Sequence, residues 1–157
     1  MAYHDDLLGQ AFQLVHTKPV TQASLRRAVS TAYYAVFHYL IAEATSNWNN
    51  VKLRLALARA YDHGVMKTAS NKLLDTGKFP FTGEDRKVVD DLRFVAFTFT
   101  QLQEQRHFAD YNLTKDLDET DALNQVKSAE KIFKIWPSLS DRQIAQEYLV
   151  SLVVRSR

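Results

Sequence analysis

Apolar residues recur along this chain at intervals of three and four, and that recurrence divides it into helices. Leu7, Leu8, Ala11, Phe12 and Val15 share one face of a helix over about His4 to His16, which Lys18-Pro19 breaks. Leu25, Val29, Ala32, Val36 and Leu40 form the stripe of a second helix, about Thr21 to Ala44. Tyr33 and Phe37 widen that stripe on one side, Ala28 and Ala35 on the other, so this helix expects several neighbours. After the polar break Ser46 to Asn50, a third helix covers about Val51 to Tyr61. Asp62-His63-Gly64 predicts a stop or kink, because glycine takes positive φ at little cost. A shorter helix follows over about Val65 to Asp75, then a loop from Thr76 to Gly83.

The next long helix runs from about Glu84 to Phe108, with Val88, Leu92, Val95, Phe99 and Leu102 inward. Another runs from about Thr120 to Trp136, with Leu123, Val126, Ala129, Phe133 and Trp136 inward and Pro137 ending it. Ser140-x-x-Gln143 has the pattern of a capping box, so a last helix is expected over about Asp141 to Val154. The pattern predicts an all-α fold: an antiparallel helical bundle of four main helices with short extra ones, in a single domain over residues 1–157.

Composition narrows the chemistry. The chain has 157 residues, no cysteine and a formal net charge of +2. A chain of this size buries roughly 70% of its unfolded surface, enough for a core. Disulfides, thiolate catalysis and cysteine-metal sites are excluded. The N-terminus, Met1-Ala2-Tyr3-His4-Asp5-Asp6, lacks a basic segment followed by an apolar one, so no signal peptide is expected. The longest dense apolar stretch, Ala32 to Phe37, is far short of the roughly 18 residues a membrane span needs. A cytoplasmic protein without a membrane partner is expected. No His-x-x-x-His pair occurs, and no metal or other cofactor is expected.

Two polar constellations stand out. The inner stripe of the helix ending near Phe108 continues, at the same spacing, to Arg106 and then Asp110. A guanidinium aimed at the core side is costly unless it is paired or meets a ligand. Two readings stay open: a structural ion pair that fixes the helix end, or an anion-binding arginine oriented by Asp110 with Tyr111 beside it. On the second helix Arg27, Thr31, Tyr34 and His38 lie on one stripe roughly opposite the apolar one. Such a row can hold phosphate and stack on bases, or can simply be a solvated edge. Lys127, Lys131 and Lys134 make a basic helix edge of the ordinary solvated kind.

Taken together, two segments resemble the HEPN-domain superfamily. Leu25-Arg26-Arg27-Ala28-Val29-Ser30-Thr31-Ala32-Tyr33-Tyr34-Ala35-Val36-Phe37-His38 is similar to its arginine, tyrosine-tyrosine-alanine, phenylalanine-histidine helix. Arg106-His107-Phe108-Ala109-Asp110-Tyr111 is similar to the arginine, alanine-aspartate-tyrosine segment of a small stand-alone branch, and His63-Gly64 falls near a histidine-glycine pair found between them. The resemblance covers about residues 20–136. It implies a bundle of about four main helices that dimerises, and Phe94 and Phe97, off the main stripe, give pairing an apolar motive. It also implies one of three roles: a non-catalytic RNA- or nucleotide-binding module, a metal-independent ribonuclease toxin, or a partner subunit of a small nucleotidyltransferase, in a prokaryotic toxin–antitoxin or defence setting. The family's ribonucleases place a histidine beyond an arginine with four to six residues between them, an acid–base group beside a cation. Here that spacing from Arg106 reaches Tyr111, Asn112 and Leu113, while His107 is adjacent and Arg59 and His63 stand too close. The departure favours binding over cleavage, with Arg106, Asp110, Tyr111, Arg27, Tyr34 and His38 as the candidate contacts.

Overall fold

The computed structural model describes residues 2–75 and 83–155. Among these, seven α-helices carry the fold and no strand occurs: α1 (Tyr3–Val15), α2 (Gln22–Ser46), α3 (Val51–Ala58), α4 (His63–Leu74), α5 (Arg86–Tyr111), α6 (Glu119–Leu139) and α7 (Gln143–Ser151). The all-α bundle expected from periodicity is what the chain forms. Two units result: Met1–His38 with Gln101–Lys134, and Tyr39–Thr100 with Ile135–Arg157. Helices α2, α5 and α6 each contribute to both.

The first unit is an up-and-down arrangement of α1 with parts of α2, α5 and α6. Tyr3 and His4, opening α1, meet His38 of α2 and Phe133 of α6, so α1 runs against both. Arg26 reaches Ala109, Ser30 reaches Asp110 and Tyr34 reaches Arg106. The partner number falls as the α2 number rises, so α2 and α5 are antiparallel. The interior is filled by Leu25, Val29, Ala32, Tyr33 and Val36 of α2, Leu102 of α5, and Val126, Ala129 and Ile132 of α6. Each large aliphatic side chain buried this way contributes roughly 1.5–3 kcal/mol.

Local chemistry sets the helix starts in this unit. Thr21 and Ser24 exchange side-chain to backbone bonds, the Thr21 Oγ1 accepting the Ser24 N–H at 3.1 Å and the Ser24 Oγ accepting the Thr21 N–H at 3.3 Å. Asp118 accepts the Thr120 and Asp121 N–H groups at the head of α6. Gln22 clasps Leu117 twice, donating to its carbonyl at 2.9 Å and accepting its N–H at 2.8 Å. That clasp fixes the α5–α6 connection against the start of α2.

The second unit is built around Leu40, Met66, Leu73, Leu92, Val95, Phe99, Trp136 and Tyr148, all fully buried. Among the described residues, none of its buried side-chain polar atoms lacks a partner. The Ser70 and Tyr148 hydroxyls share a bond of 2.8 Å where α4 packs on α7. The Trp136 Nε1–H donates to Glu43 at 3.0 Å.

Several boundaries differ from the sequence expectation. The predicted stop at Asp62-His63-Gly64 is a helix start. The Asp62 carboxylate accepts the Val65 N–H at 2.9 Å, and α4 begins at His63. Gly64 is helical, and among the described residues the left-handed glycine is Gly83, with φ 84°. Apart from Gly83, the loop expected from Thr76 lies outside the described residues. Helix α3 closes at Ala58 rather than Tyr61, its end tightened by the Ala60 and Tyr61 N–H bonds three residues back. Pro137 does not end α6, which continues to Leu139. In a last turn the proline forfeits one bond, to the Phe133 carbonyl, and that loss is tolerable. Ser140 does not cap α7. Its hydroxyl donates back to the Pro137 carbonyl at 3.2 Å, and α7 spans Gln143–Ser151 rather than 141–154.

Candidate functional site

The expected end of α5 at Phe108 is also passed, and the reason lies in α2. Arg26 donates from Nη1 to the carbonyls of Ala109 and Asn112 at 3.0 and 2.7 Å, and from Nη2 to Lys115 at 2.7 Å. A longer bond of 3.5 Å reaches Phe108, whose ring lies 5.9 Å from the guanidinium carbon. The last carbonyls of a helix have no partner within it. Arg26 supplies one, and α5 reaches Tyr111. The whole segment Arg106 to Tyr111 is therefore helical.

One turn before that end, Arg106 lies against two tyrosines of α2. Its guanidinium carbon is 5.2 Å from the Tyr33 ring and 5.7 Å from the Tyr34 ring. Nη1 donates to the Tyr34 hydroxyl at 3.3 Å and stands 3.6 Å from Oδ2 of Asp110. Asp110 also accepts the Ser30 hydroxyl at 3.4 Å. The Arg106 side chain is 16% exposed and that of Asp110 29%. The Arg106 Nε is buried and has no hydrogen-bond partner. Burial pushes the phenol of Tyr33 well above its ordinary value, against the opposing pull of the Arg106 charge.

This ion pair is poorly placed for a stability role. At 3.6 Å it is longer than a charge-assisted hydrogen bond. The cation precedes the anion by four residues, the weaker order on a helix. Asp110 also sits in the last turn of α5, where the helix dipole disfavours a negative charge by about 0.3–1 kcal/mol. The guanidinium has donors left over, and its rings and carboxylate orient it. Such a group can take a phosphate oxygen while the adjacent tyrosine ring takes a base face.

The structure gathers Arg106, Asp110 and Tyr34 into one cluster. His38 joins its margin: its ring is 6.5 Å from Tyr34 and packs edge-on against Tyr3 at 5.0 Å. Two candidates stand apart. Tyr111 is 69% exposed and packs on His107 at 4.9 Å, on the outer side of α5. Arg27 is exposed and makes no bond to the cluster. Ser30, Tyr33 and Arg26 belong to the same face of α2 and were not among the sequence candidates. They follow α2 at spacings of three and four, one position off the stripe through Arg27. Among the described residues no group of three or more His, Asp or Glu side chains could hold a metal ion. No described helix is long and apolar enough to cross a membrane.

Fold and site together define a class: an all-α helical bundle with an arginine lodged against two tyrosines and tethered to an aspartate one turn on. No family model, no curated protein and no solved structure matches the chain.

Proposed function

We propose that this protein is a HEPN-type module that binds RNA or a nucleotide without cleaving it, with Arg106 as the phosphate contact and Tyr34 as the ring beside it. The observation that carries the reading is the state of Arg106: oriented by Tyr33, Tyr34 and Asp110, yet with a buried Nε that no group satisfies. Arg26, by contrast, spends both terminal nitrogens on backbone carbonyls. An incompletely bonded one, held rigidly, fits a ligand that completes the set. A homodimer and a small nucleotidyltransferase partner belong to the same proposal through the resemblance. A cytoplasmic setting belongs to it too.

The test is titration of a fluorescent RNA oligonucleotide and of ATP into the purified protein. Binding is expected to weaken as salt rises and to fall by about tenfold or more in Arg106→Ala. Unchanged binding in a folded variant overturns the proposal. One observation favours a second reading, a metal-independent ribonuclease: His38 adjoins Tyr34, which itself bonds Arg106. RNA cleavage in the presence of a chelator, abolished by His38→Ala, would establish it in place of simple binding.

A further inference from the structure

Helix α3 buries no residue at all. Its sequence alternates apolar and basic positions, Val51-Lys52-Leu53-Arg54-Leu55, and Val51, Leu53 and Leu55 are 66%, 49% and 71% exposed. Behind it, in the same unit, lies a groove of about 230 Å³ lined by Trp48, Leu57, Tyr61, Leu149, Val150 and Val153. Trp48 and Val150 are themselves more than half exposed. The apolar lining of the groove, with Trp48 and Val150 open to solvent, marks an interaction site. The groove is smaller than the roughly 300–1,000 Å³ of small-molecule sites, and suits inserted side chains better than a cofactor.

Along α3 the charges are of one sign, while α7, which lines the other wall, carries Glu147, engaged by the Gln143 amide at 3.1 Å. Between Ala44 and Tyr61 the chain carries Lys52, Arg54 and Arg59 and no carboxylate. The flanking carboxylates are engaged: Glu43 accepts the Trp136 N–H, while Asp62 caps α4 and pairs with Arg155 at 3.7 Å. We propose that the groove behind α3 docks an acidic amphipathic helix of another protein, its apolar side chains entering the groove and its carboxylates meeting Lys52, Arg54 and Arg59. Helix-in-groove recognition reads apolar anchors at spacings of three, four and seven, and a bordering row of charges of one sign selects the opposite sign. A bilayer fits less well, because interfacial helices gather their apolar residues on one face and α3 does not. A nucleic acid also fits less well, because the exposed apolar groups are mostly aliphatic and offer bases little to stack on. This inference is independent of Arg106 and its ligand.

The two tryptophans make the test direct. Trp136 is fully buried and Trp48 is 54% exposed, so a ligand-induced change in emission or in iodide quenching reports Trp48. The probe is a tryptophan-free peptide of about 16 residues with leucines at helical spacing and glutamates elsewhere. The full chain is expected to give a saturable blue shift with this peptide, and at least about tenfold weaker binding with its lysine counterpart. Leu57→Asp, in the groove wall, should weaken the acidic peptide about tenfold, and the double variant Lys52→Glu, Arg59→Glu should reverse the preference between the peptides. No shift up to about millimolar peptide, the range of negligible affinity, overturns the proposal. Equal binding of both peptides overturns it too, as does a stronger, Leu57-dependent response to phosphatidylserine vesicles or to an RNA oligonucleotide.

Discussion

Arg26 and Arg106 stand in one unit, on facing helices, and their guanidinium groups are used in opposite ways. Arg26 meets four backbone carbonyls within 3.5 Å. Arg106 meets one hydroxyl at 3.3 Å, one distant carboxylate and two ring faces. A third arginine, Arg142 in the other unit, is held by a direct hydrogen-bonded ion pair with Glu84. The kind of partner separates the three. Carbonyls that would otherwise be orphaned make Arg26 part of the fold, and a carboxylate does the same for Arg142. Arg106 is confined with its Nε unpartnered, and the proposed ligand would complete its set of bonds.

The comparison is open to breakage in order of expected effect. Arg26→Ala should be the most damaging, losing about 2–4 kcal/mol in urea denaturation because several charged bonds to carbonyls vanish together. Arg26→Lys should recover little of it, since one ammonium cannot span carbonyls from Ala109 to Lys115. Arg106→Ala should change stability by about 1 kcal/mol or less, the range of a cation–π contact and a strained ion pair, while ligand binding falls about tenfold. A loss equal to that of Arg26→Ala would make Arg106 structural and end the distinction.

Glu84→Gln sharpens the contrast through pH. The hydrogen bond from Arg142 holds the Glu84 carboxyl below its ordinary value of 4.5. A depressed acid stabilises the fold in full above that value, and the contribution disappears as pH falls through the folded value. The gap in urea midpoint between wild type and Glu84→Gln should therefore be constant near neutrality and close on acidification below 4.5. Arg26, bonded to carbonyls that do not titrate, should show no such closure. Tyr34→Phe should be mildest, costing about 0.5 kcal/mol in stability because its bond to Arg106 is long and the ring is kept. Its effect on ligand binding should be about two- to threefold, well short of Arg106→Ala.

The long helices were legible because a buried stripe leaves a period of three and four in the sequence. The α2 stripe from Leu25 to Leu40 is buried throughout. Boundaries were less so, because each depends on a single side chain's choice between partners. Asp62 could close one helix or open the next, and Ser140 could cap forward or bond backward. Within the site, Arg106 and Asp110 were legible as a charged continuation of an apolar stripe on one helix. Arg26 was not, because its carbonyl partners lie more than eighty residues away in sequence. Tyr33 counted as core from its place beside the apolar stripe, and core it is, but its ring also forms one wall of the arginine's seat. Periodicity assigns a residue to one face. It does not see a side chain that serves two.

The shallow seating of α3, which has no fully buried residue, has a dynamic consequence. A short helix that buries nothing is held mainly by its own hydrogen bonds and the Asn50 cap. Its amides should exchange with solvent through local opening, at a rate indifferent to denaturant, while those of α2 wait for global unfolding. Any docked helix must first find α3 wound. The wound fraction then scales the apparent affinity, and Ala56→Gly, which loosens the helix without touching the groove lining, should weaken docking by the amount it speeds exchange.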